Sequence, residues 1–152
     1  MSEQPAQGRI VVGVDGSAPS EAALRWAVRQ ASLTDAAVEA VIAWHTPTMT
    51  GGYAWAPVSV LDAEDWGDVA AKVLADAIAE AVPEAAEQIT PVVSEGNPAQ
   101  VLITQSAGAD LLVVGSRGHG GFAEALLGSV GQHCVHHAPC PVVIIRGQAA
   151  SS

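Results

Sequence analysis

The chain has 152 residues, of which 49% are hydrophobic and only 4% aromatic, with sixteen acidic residues against six basic ones and a formal charge of −10. That length suits one domain with one real core, and small aliphatic side chains in this proportion suit a parallel sheet covered by helices. The acidic balance argues against nucleic acid, whose phosphates would be repelled, and against an anionic membrane surface; no apolar run is long enough to span a bilayer.

Residues 1–8 are short and polar and read as a flexible tail rather than a secretory leader. Residues 148–152 read as a second tail, which leaves 9–147 as the domain. The first apolar run, Arg9 to Val14, has the length and β-branching of a buried strand. Asp15-Gly16-Ser17 ends it. Ser17 is a good N-cap, Pro19 is tolerated in the first helical turn, and Glu21 lies near the positive end of the helix dipole. The spacing predicts a helix to about Leu33, with Leu24, Ala27, Val28 and Ala31 on one face and Arg25 and Arg29 on another. Asp15 stands at the carboxyl end of the strand, where open α/β sheets place ligand groups; the plainer reading is a turn aspartate bonded to its own backbone.

Val38 to Trp44 reads as a second strand, followed by His45 at its carboxyl end. Residues 46–61 show no period, and a stretch of that length is usually a lid or a loop; Tyr53 and Trp55 within it are assigned no site role. Asp62 to about Ala81 is predicted to be a helix with Val69, Val73, Leu74, Ala77, Ile78 and Ala81 as its apolar stripe. Asp62, Glu64 and Asp65 at its start suit the dipole better than acid–base chemistry, and Pro83 ends it. Ile89 to Ser94 reads as a strand in which Pro91 suits an edge position. Asn97 and Pro98 then read as the N-cap and first residue of a helix to Ser106, carrying Val101, Leu102 and Gln105.

The next strand, Leu111 to Val114, stops at Gly115. Glycines follow at 118, 120 and 121, and Gly128-Ser129 precedes a helical pattern reaching about His137; Phe122 to Leu127 reads as a helical turn between them. Missing side chains let backbone approach a ligand closely, and free N–H groups in such a turn form an anion-binding nest. Ser129 is placed to start a helix, whose N-terminus attracts phosphate. Pro141 to Arg146 is the last apolar strand. The alternation β-α-β-α-β-α-β-α-β predicts an α/β fold with a single doubly wound, five-stranded parallel sheet and helices on both faces.

The spacing Gly115-x2-Gly118-x9-Gly128-Ser129 is neither a P-loop nor a dinucleotide fingerprint. It resembles the nucleotide-binding motif of the universal stress protein family, and the likeness runs from Ile10 to Arg146. Gly96-Asn97-Pro98 and Ala138-Pro139-Cys140-Pro141 are further, weaker points of likeness. The resemblance implies strand order 3-2-1-4-5, an adenine nucleotide alpha hydrolase-like arrangement, with the switch point between strands one and four. It implies that Gly13, Val14 and Asp15 lie at adenosine and metal-bound water, and that His45 meets adenine through its main chain. Gly115 would lie near the ribose, and Ser116, Arg117, Gly118, His119, Gly120, Gly121, Gly128, Ser129, Val130 and Gly131 would receive the phosphates. The implied ligand is ATP, with Mg²⁺ offsetting charge and Asp15 touching the metal through water; AMP or cyclic AMP is the runner-up. A homodimer through residues 141–146 is implied as well, since an apolar edge invites pairing.

His133, His136 and His137 lie close to Cys134 and Cys140. His133 and His136, three apart, can share a helix face, but the spacing of a four-ligand zinc site is absent. The cluster therefore reads as a polar helix face and a turn. The two cysteines form no C-x-x-C pair, so free thiols in a reducing cytoplasm are the expectation. Asp15, Ser17, Ser116, His119 and Ser129 match no catalytic triad, and no G-x-S-x-G occurs. The His-x-Gly-His and Ser-Gly-Gly signatures of adenylyl-transferring relatives are missing too. The sequence thus points to a stress-response nucleotide binder, with a slow ATPase using Asp15 and a nucleotide-free interaction protein as the other readings.

Overall fold

A computed structural model of the chain describes residues 8–45, 63–116 and 128–146. The elements in chain order are β1 (Arg9–Gly13), α1 (Ala18–Thr34), β2 (Ala37–Trp44), α2 (Ala63–Ala81), a 3-10 helix (Pro83–Gln88), β3 (Ile89–Glu95), α3 (Pro98–Gln105), β4 (Leu111–Gly115), α4 (Ser129–His137) and β5 (Val142–Ile145). The strands form one parallel sheet in the order β3-β2-β1-β4-β5. Both the fold class and the strand order agree with the expectation from the sequence.

The alternation of side chains along each strand builds two cores, one on either face. Ile10 and Val12 of β1, Val38, Ala40 and Ile42 of β2, and Val113 of β4 pack with Ala23, Leu24 and Ala27 of α1 and Ala70, Leu74 and Ala77 of α2. Val11, Val41, Leu112 and Val114 point the other way and pack with Val101 and Leu102 of α3 and Cys134 of α4. The helices before the chain crosses the sheet thus cover one face and those after it cover the other. That division puts the change of direction between β1 and β4.

Local signals explain the helix ends. The Ser17 side chain accepts from the Ser20 N–H, and Asn97 accepts from the Gln100 N–H, so both expected N-caps are in place. Helix α1 closes at Asp35, a non-glycine residue at φ 60° whose N–H reaches the Ala31 carbonyl. In α2 the buried line is Trp66, Ala70, Leu74, Ala77, Ile78 and Ala81, whereas Val69 and Val73 are half-buried. The stripe is therefore turned slightly from the expected one, toward Trp66 and Ala70. Pro83 does end α2, but it also starts the 3-10 turn that the apolar pattern did not disclose. Pro91 lies on edge strand β3, where its missing N–H is harmless.

Candidate functional site at the switch point

The carboxyl ends of β1 and β4 lie side by side at the middle of the sheet. Ile10, Val11 and Val12 pair with Leu111, Leu112 and Val113, and continuing that register sets Val14 beside Gly115. The Val14 side chain is buried, and its N–H donates to the Val41 carbonyl at 2.9 Å. Gly13 is packed from below: a Cβ there would lie 2.8 Å from Leu102 Cδ1.

Asp15 organises the turn that follows. Its Oδ1 accepts from the Ser17 N–H at 2.9 Å and also from the Ser17 hydroxyl. The Asp15 N–H donates to Ser20 Oγ at 3.2 Å, and that hydroxyl donates to the Ser17 carbonyl at 3.0 Å. Gly16 sits between them at φ 84°, a conformation that favours glycine. Asp15 is thus the turn aspartate of the plainer reading, and it stands at the sheet tip as well. Ser20, which is buried, was not anticipated; the Asp-x-Ser-x-x-Ser spacing is the signal that discloses it.

Gly115 has a packing reason that its sequence context does not reveal. A Cβ on it would lie 2.8 Å from the Pro19 carbonyl carbon and 2.9 Å from both the Pro19 oxygen and Cβ. The first turn of α1 therefore rests directly on the end of β4. Ser116 is buried, and its N–H donates to the Ile145 carbonyl at 2.8 Å. The Ser116 amide therefore extends the sheet ladder toward β5. The Gly128 N–H donates to the Ser116 carbonyl at 2.7 Å, so the chain leaves this point and returns to it. The Gly128 amide is used in that closure.

Helix α4 starts at once from this closure. Gly128 is its N-cap and supplies no side-chain cap, and Ser129, Val130 and Gly131 form its first turn. The first N–H groups of an α-helix have no intrahelical acceptor. Two helix N-termini, α1 from one face and α4 from the other, therefore meet at the tip of β4. The first is capped by its own Asp15 and Ser17. Among the described residues, the second has no side-chain cap hydrogen bond. Partial positive charge gathers at such ends, here in a chain of formal charge −10.

His45 follows β2 and is exposed, two strands from β4. Arg117, Gly118, His119, Gly120 and Gly121 lie outside the described residues, as do the loop 46–61 and the expected turn at Phe122 to Leu127. A groove of about 250 Å³, lined in part by Ser94, Glu95, Asn97 and Gln100, opens between the carboxyl end of edge strand β3 and α3. All three histidines of α4 are exposed, on the polar side of the helix. The His133 and His137 rings have centres 4.9 Å apart, and His136 is the outlying member, 6.2 Å from His137. A separation of four residues brings side chains over one another more directly than three does at this helix end. Among the described residues, no three or more His, Cys, Asp or Glu side chains converge as metal ligands. No helix among them is long and apolar enough to cross a membrane.

The sequence pattern of the universal stress protein family matches residues 7–146. A universal stress protein of Mycobacterium tuberculosis strain H37Rv is 38% identical over 148 residues, covering 93% of this chain and 46% of that protein. The chain spans about half the length of the curated relatives it matches. Among solved structures, a universal stress protein crystallised in complex with cAMP is similar at a TM-score of 0.65 and 27% identity, over 95% of this chain and 100% of that one. A universal stress protein family member from Arabidopsis thaliana with AMP bound shares the fold at a TM-score of 0.57 and 20% identity, over 95% and 94% of the two chains. The chain belongs to the universal stress protein family.

Proposed function

We propose that this protein binds an adenine nucleotide at the switch point, with ATP as the preferred ligand. The observation that carries the reading is the meeting of two helix N-termini at the tip of β4. One is closed by the Asp15–Ser17 turn, and the other has glycine as its cap. Anions bind where backbone N–H groups and the helix dipole point the same way. The phosphates rest on the amides of Ser129, Val130 and Gly131 together with the glycine-rich segment 117–121. Arg117 adds charge in a chain with only six Lys and Arg residues. The ribose lies near Asp15 and Gly115, and adenine lies against the ends of β1 and β2, at the main chain of His45. Relatives described with cAMP and AMP support an adenine nucleotide as the ligand class.

Mg²⁺ fits this donor set. It keeps several waters and is held through nucleotide phosphates plus one or two carboxylates, and Asp15 supplies a carboxylate at the tip of β1. The nucleotide serves a regulatory, stress-response role in this reading rather than a catalytic one. The protein acts as a homodimer joined through residues 141–146. The test is calorimetric titration of the wild type and of Gly118→Val with ATP, AMP and cyclic AMP, alongside mass analysis of any ligand released on purification. Saturable heat with ATP, lost on adding a branched side chain at 118, is the expected result. A protein that carries no nucleotide and gives no heat with any of the three overturns the proposal.

A further inference from the structure

The exposed end of α4 carries a feature that nucleotide binding does not use. His133 and His137 are both exposed, lie four residues apart on one helix, and hold their ring centres 4.9 Å apart with planes inclined at 43°. We infer that His133 and His137 form a two-imidazole clamp for a divalent transition-metal ion of the Zn²⁺, Ni²⁺ or Cu²⁺ class. The geometry can be checked against coordination chemistry. A metal–nitrogen bond is about 2.0–2.1 Å long, which puts an imidazole centre roughly 3.2 Å from the metal. Two such rings on one metal have centres roughly 4.5 Å apart at a right angle and about 5.2 Å apart at the tetrahedral angle, by the same bond length. The observed separation falls between the two, so both rings can reach one ion by small rotations of exposed side chains.

Electrostatics favour a cation here. His137 is the last residue of α4, and a helix C-terminus attracts positive charge. The chain as a whole is strongly acidic. Imidazole prefers Zn²⁺, Cu²⁺ and Ni²⁺, whereas Mg²⁺ and Ca²⁺ prefer oxygen, so this clamp is distinct from any Mg²⁺ carried by a nucleotide. Two protein ligands leave the other positions to water or to a partner's donor, which makes the site open. His136 belongs to the same turn, but its ring lies 6.2 Å from that of His137 and takes no part. Cys134 is fully buried in the core beneath α4, whereas both rings are exposed.

Calorimetric titration of the full chain with Ni²⁺ and Zn²⁺ tests the clamp. One ion per chain is expected, weakened at least about tenfold in His133→Gln and in His137→Gln and unchanged in His136→Gln and Cys140→Ser. The glutamine variants keep a helix-favouring residue on an exposed face, and far-UV circular dichroism checks that α4 persists. A second readout needs no variant. Substoichiometric Cu²⁺ should broaden the ring resonances of His133 and His137 ahead of the other three histidines. A wild type that takes up no Ni²⁺ at millimolar concentration, variants that bind as the wild type does, loss that follows Cys140→Ser, or broadening spread evenly over all five histidines each overturns the inference.

Discussion

Gly115 and Ser17 answer different questions about the same corner of the molecule. Gly115 is a glycine because the Pro19 backbone occupies the place a Cβ would take. A backbone neighbour cannot rotate away, so Gly115→Val should destabilise by about 1–3 kcal/mol, read as a lower urea midpoint. Ser17 both donates to Asp15 and caps α1 through the Ser20 N–H. Ser17→Ala should cost about 1 kcal/mol and lower the melting temperature by roughly 2–4 °C. Asp15→Asn keeps an acceptor for the Ser17 N–H and should cost less. The buried Cys134 thiol is pushed up to about 11, by burial first and by neighbouring Cys140 second. Its folded-state value lies above that of the unfolded chain, so the protonated thiol favours folding. That contribution is complete below the ordinary thiol range and is lost as pH rises through about 11. Thermal unfolding followed from about pH 8 upward should show the decline, and Cys134→Ala should flatten it. The glycine at 115 was legible as a motif member, but its contact with Pro19 was not, because 96 positions along the chain separate two residues that only folding joins.

Between elements, Arg9 is the strongest tie at the end of the sheet opposite the candidate site. Its guanidinium donates to Glu39 on β2 at 2.9 Å, and to the Gln105 and Ala107 carbonyls at 3.1 and 2.6 Å. Its own N–H meets Asp110 Oδ2 at 2.9 Å, and its carbonyl accepts from the Asp110 N–H at 2.8 Å. A cation at the negative end of α3 is favoured by the dipole, and the Glu39 pair is partly shielded from water. Arg9→Met should keep the bulk and lose these donors, at a cost of about 1–3 kcal/mol, measured by chemical denaturation. Element types and most boundaries could be read from hydrophobic period and capping residues, which act within a few positions. The 3-10 turn at Pro83–Gln88 escaped because only the small Ala85 and Ala86 pack against the core, half-buried, and two alanines leave no apolar rhythm.

For the molecule as a whole, the two sheet edges differ. The β3 edge carries Pro91. The β5 edge is Val142–Ile145, apolar throughout. The Pro141 and Ile145 carbonyls bond to the Leu112 and Ser116 N–H groups, so by the alternation of a parallel ladder Val142 and Ile144 turn their main-chain groups outward. If the proposed dimer forms there, Val142→Pro removes an outward donor without breaking the bond to β4. Light scattering should then show a shift toward monomer, whereas an unchanged mass would place the interface elsewhere.

The alternation of strands and helices, the caps at Ser17 and Asn97, and the edge position of Pro91 were all legible along the chain. Each depends on neighbours within one turn or one strand, where residue type dictates conformation. Other features emerge only when distant segments lie side by side. The Ser116 amide is taken by Ile145, Gly115 gives way to Pro19, and the division of Ile10 and Val12 from Val11 becomes two separate cores. These are long-range hydrogen bonds and contacts. Their partners are chosen by which strand stands next to which, and no local pattern carries that information.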